Sequence, residues 1–313
     1  MRISALHDFD ESHASIARSA SWLFVPGSRP ERFDKAARAG ADQVIVDLED
    51  AVAPARKAFA RDEVARWLGG AGEAWVRVNA HGTPWHERDV RALAGRAGLR
   101  GVMVPKAEDP ATLRQVARAL RPGTAIIALV ETAVGVRDAA AVAACPAVSG
   151  LAFGSIDFAL DIDAAETDEA LLFARSALVI AARAASLPAP LDGVTGETTD
   201  AAAVRRDAAR ARGLGFGGKL CIHPAQVAPV NAAFTPDPAE VSWARRVLAA
   251  AAEHAPGEHA EGAFDLDGEM IDTPVLERAR RLVARAGGRE ARRGASPHDN
   301  EEGEHDRHRD LGP

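Results

Sequence analysis

A strand-and-helix unit repeats along this chain. Each unit has a short apolar run rich in β-branched residues, a polar or Gly/Pro break, and an Ala/Arg/Leu segment with helical periodicity. The eight apolar runs are SWLFVP from Ser21, QVIVDLED from Gln43, AWVRVNA from Ala74, GVMVPKAE from Gly101, AIIALVET from Ala125, GLAFGSIDF from Gly150, APLDGVT from Ala189 and GKLCIHP from Gly218. Alternating strands and helices predict a parallel sheet, and eight repeats close most economically into a (β/α)8 TIM barrel. An open doubly wound sheet is the alternative, but its GxGxxG fingerprint is absent, because PGSRP follows the first apolar run.

The length of 313 residues allows one barrel, which takes about 250 residues, and an appendage. We place an N-terminal extension at 1–20 and the barrel at 21–236. Residues 237–286 predict two further helices, the first of them amphipathic over 238–254. The remaining residues, 287–313, are charged and nearly free of apolar side chains, which predicts a disordered C-terminal tail.

The composition of the chain argues against several classes of binding partner. A formal net charge of −7 argues against a nucleic-acid-binding surface, which needs basic residues opposite the phosphates. Cys145 and Cys221 have no CxxC or Cys/His spacing, so neither a disulfide framework nor a zinc site is predicted. The start of the chain lacks the apolar core of a signal peptide, and no stretch approaches the ~20 apolar residues that span a bilayer. We therefore expect a soluble cytoplasmic protein without nucleic-acid or membrane partners.

Nearly every apolar run ends in a polar or charged residue. In a barrel these strand ends converge on one mouth, where enzymes of this fold place their active sites. Glu131 and Asp157 follow the apolar runs of the neighbouring fifth and sixth strands. Two carboxylates brought together repel each other unless a cation intervenes, and hard oxygen ligands suit Mg²⁺. We predict that Glu131 and Asp157 bind a metal; the alternative is that they cap helices or pair with arginine.

A single arginine is embedded in the third apolar run. Strand alternation puts Arg77 on one face with Trp75 and Asn79. A guanidinium in that position could hold a carboxylate or the oxygen of a developing enolate. The alternative is a buried ion pair with the DLED segment that begins at Asp47, and the two roles can coexist.

Two basic residues stand at the start of the first predicted helix. Arg29 and Lys35 follow a Pro-Gly turn, and a helix N-terminus favours anions. The arrangement is compatible with a phosphate site. Ordinary solvated charge is the alternative, and these two residues alone do not decide between them.

The motifs, taken in order, resemble one family. They are LFVPGSRPERFDKA from Leu23, GADQVIVDLEDAV from Gly40, VRVNA from Val76, VPKAE from Val104, LVETAVGV from Leu129, LAFGSIDF from Leu151, LDGVT from Leu191, LGFGGKLCIHPAQV from Leu214 and DGEMIDTPVLERA from Asp267. This series, from about residue 21 to residue 286, resembles the CoA ester lyases of the HpcH/HpaI aldolase and citrate lyase β-subunit family. Any one motif is weak evidence, whereas the unbroken series is specific.

The resemblance implies roles for the residues at the predicted mouth. Glu131 and Asp157 correspond to Mg²⁺ ligands, and Glu131 also contacts the substrate. Arg77 corresponds to the catalytic and substrate-binding arginine that faces the reacting carbonyls. Arg29 and Lys35 match positions that line the coenzyme A side of the mouth. The implied cofactor is Mg²⁺, and coenzyme A enters as part of the substrate.

The resemblance also implies a lid. Asp272 matches the aspartate of a C-terminal helical lid over residues 237–286, which in relatives reaches the active site of a neighbouring subunit and acts as acid or base. A homo-oligomer, trimer or hexamer, follows from this. The alternative for Asp272 is a helix N-cap two residues before Pro274. His223 could contact the coenzyme or orient loops, or it could be a packed, hydrogen-bonded residue at a strand end.

The implied activity is Mg²⁺-dependent cleavage of a 3-hydroxyacyl-CoA of the malyl-CoA, methylmalyl-CoA or citramalyl-CoA type. The products would be an acyl-CoA and a 2-oxo acid, formed by retro-aldol or Claisen-type chemistry. Alternatives are a citrate lyase β subunit that acts on citryl attached to an acyl carrier protein, a malyl-CoA thioesterase, and a non-catalytic thioester-binding module. Phe173, Gly196 and Glu197 depart from the family pattern near the predicted mouth, which leaves the acyl selectivity open.

Overall fold

The computed structural model describes residues 13–254 and 263–294. The chain forms two compact units, the first extending to Phe234 and the second beginning at Thr235. Within the described ranges, no helix combines the length and the apolar character that a membrane crossing requires.

The first unit contains a closed barrel of eight parallel strands, which confirms the TIM-barrel prediction. The strands are β1 (Ser21–Pro26), β2 (Gln43–Asp47), β3 (Ala74–Arg77), β4 (Leu99–Val104), β5 (Ala125–Val130), β6 (Gly150–Phe153), β7 (Leu191–Asp192) and β8 (Gly218–Cys221). Each strand pairs with the next in sequence, and β8 pairs with β1 to close the barrel. Every predicted apolar run overlaps one strand, because β-branched residues fit the pleated, buried wall of a barrel.

Helices follow the strands and surround the barrel. They are α1 (residues 13–18), α2 (Phe33–Ala37), α3 (Lys57–Gly69), α4 (His86–Leu93), α5 (Pro110–Ala119), α6 (Ala133–Arg137), α7 (Ala139–Ala143), α8 (Ser155–Asp161), α9 (Asp168–Ala184), α10 (Ala201–Leu214) and α11 (Val227–Phe234). Gly215, with a φ of 103°, ends α10 in the left-handed conformation that glycine adopts without steric cost.

Side chains of the strands alternate between the two faces of the barrel wall. Ile45 and Trp75 belong to a core cluster made almost entirely of strand residues, which fills the interior. Val46 and Val76, their neighbours in sequence, belong to a larger cluster shared with the helices. Trp22 and Trp75 meet inside the barrel with ring centroids 5.1 Å apart. The interior is therefore packed, and chemistry is confined to the ends of the strands.

Helix α1 closes the end of the barrel at which the strands begin. Ile16 is buried and packs with the inward-facing strand residues. The Ser19 carbonyl accepts a hydrogen bond from the Trp22 indole N–H at 3.2 Å, and the Ser19 hydroxyl accepts one from the Gln43 amide at 3.0 Å. Gln43 in turn accepts a hydrogen bond from the Trp75 indole N–H at 3.1 Å. This floor leaves the opposite end, where the strands finish, for ligands.

A buried ion network joins β7, β8 and α9. Asp192 accepts hydrogen bonds from Nε of Arg175 at 2.9 Å and from Nζ of Lys219 at 3.3 Å, and the three side chains are at most 5% exposed. Nζ of Lys219 also donates to the Gly193 carbonyl at 2.6 Å. Burial alone would raise the pKa of Asp192, but the two cations outweigh burial and hold that pKa below its ordinary value. The network fixes the backbone where β7 ends.

The second unit contains two helices and a hairpin. They are α12 (Pro238–His254), β9 (Phe264–Leu266), β10 (Glu269–Ile271) and α13 (Thr273–Gly294). A reciprocal cap begins α12, because Asp237 and Glu240 each accept a hydrogen bond from the other's backbone N–H, at 2.8 and 3.0 Å. This unit has its own apolar cluster, which includes Ala244, Val247, Ile271, Leu276, Ala279 and Leu282.

Helix α13 extends beyond the predicted start of the C-terminal tail. The sequence places the start of the charged tail at Gly287, whereas α13 continues to Gly294. Alanine, arginine and glutamate in this stretch are good helix formers, which accounts for the extension. Residues 295–313 of the predicted tail and residues 1–12 of the predicted N-terminal extension lie outside the described residues.

Candidate active site

Charged side chains meet at the end of the barrel where the strands finish. We call this group the mouth cluster; its members are Asp47, Glu49, Asp50, Arg77, Lys106, Glu131 and Asp157. Five carboxylates thus face two cations, and the cluster carries an excess of negative charge. Such an excess of partly buried negative charge at the mouth of an apolar barrel is costly unless further positive charge is supplied.

Arg77 is held by the acidic residues that follow β2. Asp47 binds it in a bidentate manner, with both the Nε and the Nη2 contact at 2.7 Å. Nη1 donates to Asp50 at 3.2 Å and lies 3.1 Å from Oε2 of Glu49. Burial alone would lower the pKa of Arg77, but the carboxylates outweigh it and raise that pKa. The predicted ion pair is therefore present.

The ion pair does not use the whole guanidinium. Arginine has five N–H donors, and the hydrogen bonds to Asp47 and Asp50 take three of them. Nη1 also lies 3.1 Å from Oε2 of Glu49, so within the described residues the second N–H of Nη2 is the donor without a carboxylate contact, and the side chain keeps 12% of its surface exposed. Arg77 can therefore contact a ligand at the mouth while the acidic residues hold it in place.

Lys106 lies among the carboxylates on the other side of the cluster. Its Nζ is 3.3 Å from Oδ2 of Asp157 and 3.6 Å from Oε1 of Glu131. The same Nζ is 3.6 Å from Oε1 of Glu49. Asp157 lies in the first turn of α8, beyond the end of β6 where the sequence pattern placed it. The structure thus brings Glu131 and Asp157 around one point, and the cation they share is a lysine and not the arginine considered as an alternative.

The backbone of Lys106 also contributes to the cluster. Its φ of 48° places a non-glycine residue in the left-handed region, which costs about 1–2 kcal/mol. In this conformation its N–H donates to Oε1 of Glu131 at 2.9 Å. The next residue, Ala107, donates its N–H to the Leu129 carbonyl at 3.1 Å and fixes the turn against β5. Sequence reasoning missed Lys106 as a site residue, although the VPKAE motif carried it.

A glycine makes room for Glu131. A Cβ built on Gly154 would lie 2.4 Å from Oε2 and 2.5 Å from Cβ of Glu131. No side chain fits in that space without moving the carboxylate. Gly154 at the end of β6 is therefore part of the geometry that places Glu131 at the mouth.

Burial and mutual repulsion disturb two carboxyl groups of the cluster. Burial raises the pKa of Glu131 to about 7, and Asp157 adds to the rise while Lys106 opposes it. Burial likewise raises the pKa of Glu49 to about 8, with Glu131 and Asp50 adding to the rise and Arg77 opposing it. Burial is the main cause of both pKa shifts, and burial together with the neighbouring carboxylates outweighs the two cations. A divalent cation would favour the ionised form of both groups.

The donor set fits Mg²⁺. Glu131 and Asp157 supply hard oxygen ligands, and Mg²⁺ commonly takes one or two carboxylates with water or substrate oxygens in its other positions. Among residues 13–254 and 263–294, no group of three or more His, Cys, Asp or Glu side chains is arranged to hold a metal ion. The set therefore suits a partly hydrated cation better than one enclosed by protein ligands. Oε2 of Glu49 is buried beside the site and lies 3.1 Å from Nη1 of Arg77, although no hydrogen bond to it is formed within the described residues.

Mg²⁺ should stabilise the protein more at high pH than at low pH. Between the ordinary value of 4.5 and about 7, folded protein keeps a proton on Glu131 that the unfolded chain releases, so rising pH favours unfolding. Binding of a cation requires the ionised carboxylate. We expect the Mg²⁺-induced rise in Tm to grow from about pH 5 to about pH 8, as measured by thermal melts against a chelator reference. Glu131→Gln, which cannot ionise, should flatten this dependence; a rise independent of pH in the wild type would contradict the assignment.

Arg29 and Lys35 lie apart from these contacts. Both are exposed, and Nε of Arg29 donates to Oε1 of Glu31 at 2.8 Å. No hydrogen bond or ion pair in the described ranges joins either residue to the mouth cluster. Helix α2 has five residues and gives no extended N-terminus. Their role on the coenzyme side stays a prediction.

Asp272 caps a helix in the second unit. Its Oδ1 accepts a hydrogen bond from the Val275 N–H at 3.1 Å, and its carbonyl accepts one from the Leu276 N–H at 3.0 Å. The helix-cap alternative is therefore observed. Oδ2 is not used by the cap, so a role as acid or base remains compatible with it and stays a prediction.

His223 and Gln226 organise the loops after β7 and β8. His223 is exposed, and its Nδ1 accepts a hydrogen bond from the Ala225 N–H at 3.2 Å, so it starts a short 3-10 turn. Gln226 is buried and donates from Nε2 to the carbonyls of Thr195 and Glu197, at 2.8 and 3.0 Å. Gln226 was not singled out from the sequence. It ties the loop after β7 to the turn after β8.

The barrel and its acidic mouth agree with a match to a known family. The family model described as HpcH/HpaI aldolase/citrate lyase matches residues 20–224. The chain belongs to this family of lyases, which confirms the resemblance carried by the sequence motifs.

Individual relatives match over most of the chain. The citrate lyase subunit beta-like protein of Mycobacterium tuberculosis is 40% identical over 279 residues, covering 87% of this chain and 97% of that protein. The (3S)-malyl-CoA thioesterase of Cereibacter sphaeroides is 36% identical over 272 residues, covering 85% and 94%. Among solved structures, CitE from M. tuberculosis in complex with magnesium, acetoacetate and coenzyme A has a TM-score of 0.75 and 38% identity, covering 86% of this chain and 98% of that one.

Proposed function

We propose that this protein is a Mg²⁺-dependent lyase that cleaves a 3-hydroxyacyl-CoA of the malyl-CoA, methylmalyl-CoA or citramalyl-CoA type. The products are an acyl-CoA and a 2-oxo acid. The observation that carries the proposal is the placement of Glu131 and Asp157 around one point, near an arginine whose Nη2 keeps one N–H donor beyond its contacts with the described carboxylates. A relative of the same family was crystallised with magnesium, acetoacetate and coenzyme A, which supports this choice of cofactor and substrate class.

Glu131 and Asp157 would hold the cation. When bound, Mg²⁺ would polarise the hydroxyl and carboxylate oxygens of the substrate and lower the pKa of that hydroxyl. Lys106 orients Glu131 through its backbone N–H. Oε2 of Glu49, which lies 3.1 Å from Nη1 of Arg77, could also accept a hydrogen bond from a water at the site.

Arg77 would stabilise the charge that develops during cleavage. The bond between the carbinol carbon and the α-carbon of the thioester breaks, and its electron pair forms a thioester enolate while the carbinol carbon becomes the carbonyl of the 2-oxo acid. The remaining Nη2 donor of Arg77 can hydrogen-bond the enolate oxygen, and such a bond strengthens as charge accumulates. Asp272 from a neighbouring subunit would then protonate the α-carbon. A base accepts the proton of the substrate hydroxyl.

The coenzyme would approach along the exposed side of the mouth. Arg29 and Lys35 are exposed cations near the end of β1, and phosphates are the anionic groups that coenzyme A offers. The remaining elements of the proposal are a cytoplasmic location and a homo-oligomer, trimer or hexamer, in which the second unit covers a neighbouring barrel.

The test is a panel of synthetic acyl-CoA thioesters. Purified protein is incubated with malyl-CoA, methylmalyl-CoA and citramalyl-CoA, with Mg²⁺ or with chelator, and the products are identified by mass spectrometry. We expect one thioester to give equal amounts of a 2-oxo acid and a shorter acyl-CoA, only when Mg²⁺ is present. Absence of a 2-oxo acid from every thioester, in protein that binds Mg²⁺, would contradict the proposal.

Two related activities are supported by names in the family. The C. sphaeroides relative is a (3S)-malyl-CoA thioesterase, and that activity would release free CoA together with malate. The M. tuberculosis relative is named after the citrate lyase β subunit, and that activity would require citryl on an acyl carrier protein. The same assay separates the three, because the thioesterase forms no 2-oxo acid and the citrate lyase subunit ignores CoA thioesters.

Mixing two inactive variants tests the lid. Asp272→Asn is expected to lose at least about 90% of turnover while it still binds Mg²⁺ and acyl-CoA, because its role would be proton transfer. Arg77→Ala is expected to be inactive for a different reason. If lids cross between subunits, mixtures of the two should regain activity, because some pairs join an intact barrel to an intact lid.

The mixing experiment needs proof of subunit exchange. Differently tagged chains should be recovered together before activity is measured. If subunits exchange and activity does not return, the lid does not act on the barrel of a neighbouring subunit. Wild-type turnover by Asp272→Asn alone would leave Asp272 as a helix cap and nothing more.

A further inference from the structure

The position of Lys106 differs from that of an ordinary surface lysine. Its side chain is 43% exposed, yet its Nζ lies within 3.6 Å of oxygens from Asp157, Glu131 and Glu49. The contacts with Glu131 and Asp157 involve the two residues that would hold the cation. The ammonium group therefore lies against the same two carboxylates that would hold a metal ion.

The distances distinguish an ammonium from a metal ion. Mg²⁺ binds oxygen at about 2.0–2.1 Å and demands near-octahedral geometry. The oxygens of Asp157 and Glu131 lie 3.3 and 3.6 Å from Nζ, which is a loose arrangement for ligands of one cation. Binding of Mg²⁺ must draw both oxygens inwards. The ammonium cannot remain at the centre of that smaller site, both for lack of space and because the two charges repel.

The backbone keeps its own contact whatever the side chain does. The N–H of Lys106 donates to Oε1 of Glu131 because the residue adopts a φ of 48°. This contact needs neither the charge nor the length of the side chain. The two contributions of Lys106 can therefore be separated by substitution.

We propose that the Lys106 ammonium competes with the divalent cation for Glu131 and Asp157, so that Lys106 sets the metal affinity of the site. Without metal it offsets part of the negative charge of the mouth cluster. With metal it moves away from Glu131 and Asp157 towards Glu49, the third carboxylate within its reach. This inference rests on the proposed function for the site itself and adds a positioning residue that regulates its occupancy.

The test measures binding of Mn²⁺ alone, by electron paramagnetic resonance or calorimetry. In Lys106→Met, which removes the charge and keeps a long chain, the Kd for Mn²⁺ should fall at least about tenfold, because a like charge a few ångströms from the cation is gone. Lys106→Arg keeps the charge and should bind Mn²⁺ about as weakly as the wild type. Lys106→Gly should bind as tightly as the Met variant, because glycine retains the N–H contact and adopts positive φ freely. Lys106→Gly therefore replaces Lys106→Met in the test if the Met variant folds poorly.

A charge control is available on the same unit. Arg91 pairs with Glu87 on the exposed face of α4, so Arg91→Met changes net charge equally without touching the mouth cluster. Its Kd for Mn²⁺ should match the wild type. If Arg91→Met and Lys106→Met gained the same affinity for Mn²⁺, the gain would come from net charge alone, and the proposal would be overturned.

The remaining outcomes separate the inference from the metal site. In one outcome, the wild type binds Mn²⁺, Asp157→Asn does not, and Lys106→Met binds it no more tightly than the wild type. This result overturns the competition but leaves the proposed metal site intact. In another outcome, Lys106→Met binds Mn²⁺ whereas the wild type does not, and the double variant Lys106→Met/Asp157→Asn does not bind it. This result supports the competition most strongly. Failure of wild type and Lys106→Met alike to bind Mn²⁺ overturns both the competition and the proposed metal function.

Discussion

Replacing Asp157 by asparagine is expected to reduce Mg²⁺-dependent cleavage at least about a hundredfold with little change in Tm. Replacement of groups that merely support a metal ligand costs about 10- to 100-fold, and Asp157 would contact the cation itself. Its side chain is 35% exposed and its oxygen contacts only the Lys106 ammonium in the described part of the chain, so the fold does not depend on it. Steady-state kinetics over a range of Mg²⁺ concentrations and a thermal melt measure the two effects.

Asp157 separates catalysis from folding better than Glu131 does. Glu131 is buried and accepts the Lys106 N–H, so its loss would disturb the turn after β4 as well as the cation. Glu169→Gln, on the exposed face of α9, is a matched control that removes one carboxylate charge and should retain full activity. Wild-type cleavage by Asp157→Asn in the presence of chelator would refute the metal assignment.

Asp192→Asn is expected to lower the free energy of unfolding by about 3–5 kcal/mol, the cost of removing one partner from a buried ion pair. The substitution keeps the shape of the side chain but leaves Arg175 and Lys219 buried without a counter-ion. At roughly 2–4 °C per kcal/mol in a chain of this size, the fall in Tm should be evident in a thermal melt. Chemical denaturation gives the free energy itself.

An exposed pair provides the comparison. Glu73 and Arg100 form an ion pair with both side chains 58% exposed, and Glu73→Gln should cost no more than about 1 kcal/mol. Adding Lys219→Met to Asp192→Asn should recover part of the lost stability, because the second substitution removes an uncompensated charge. Equal losses in Glu73→Gln and Asp192→Asn would mean that the buried network does not stabilise the barrel.

The sequence predicts the barrel because local and global signals agree. Each β-branched run is followed by a break and a helical segment, and Val46 and Ile45 show how the same run serves both faces of a buried strand. The end of the last helix was harder to predict. Arginine-rich sequence after Gly287 is compatible with both a solvated helix and a tail, and α13 continues through it to Gly294.

The site was predictable where residues follow strands directly. Glu131 directly follows β5 and Arg77 ends β3, as the apolar runs predict, and the ion pair of Arg77 with Asp47 was one of the two roles considered. Lys106 was missed because its contribution depends on a positive φ, which sequence patterns signal only when the residue is glycine or asparagine. Asp157 reaches the cluster from the first turn of a helix, and its distance from Glu131 is a property of the closed barrel that no local pattern contains.

The floor formed by α1 has a consequence for the order in which products depart. Ile16 packs with the inward-facing side chains at the end where the strands begin, so within the described residues a ligand reaches and leaves the mouth cluster from the opposite end. Under the proposed function the 2-oxo acid forms at the buried Glu131, whereas the coenzyme lies towards the exposed Arg29 and Lys35. The larger product would then stand between the smaller one and solvent. We therefore expect ordered release under the proposed function, with the acyl-CoA departing first and the 2-oxo acid second.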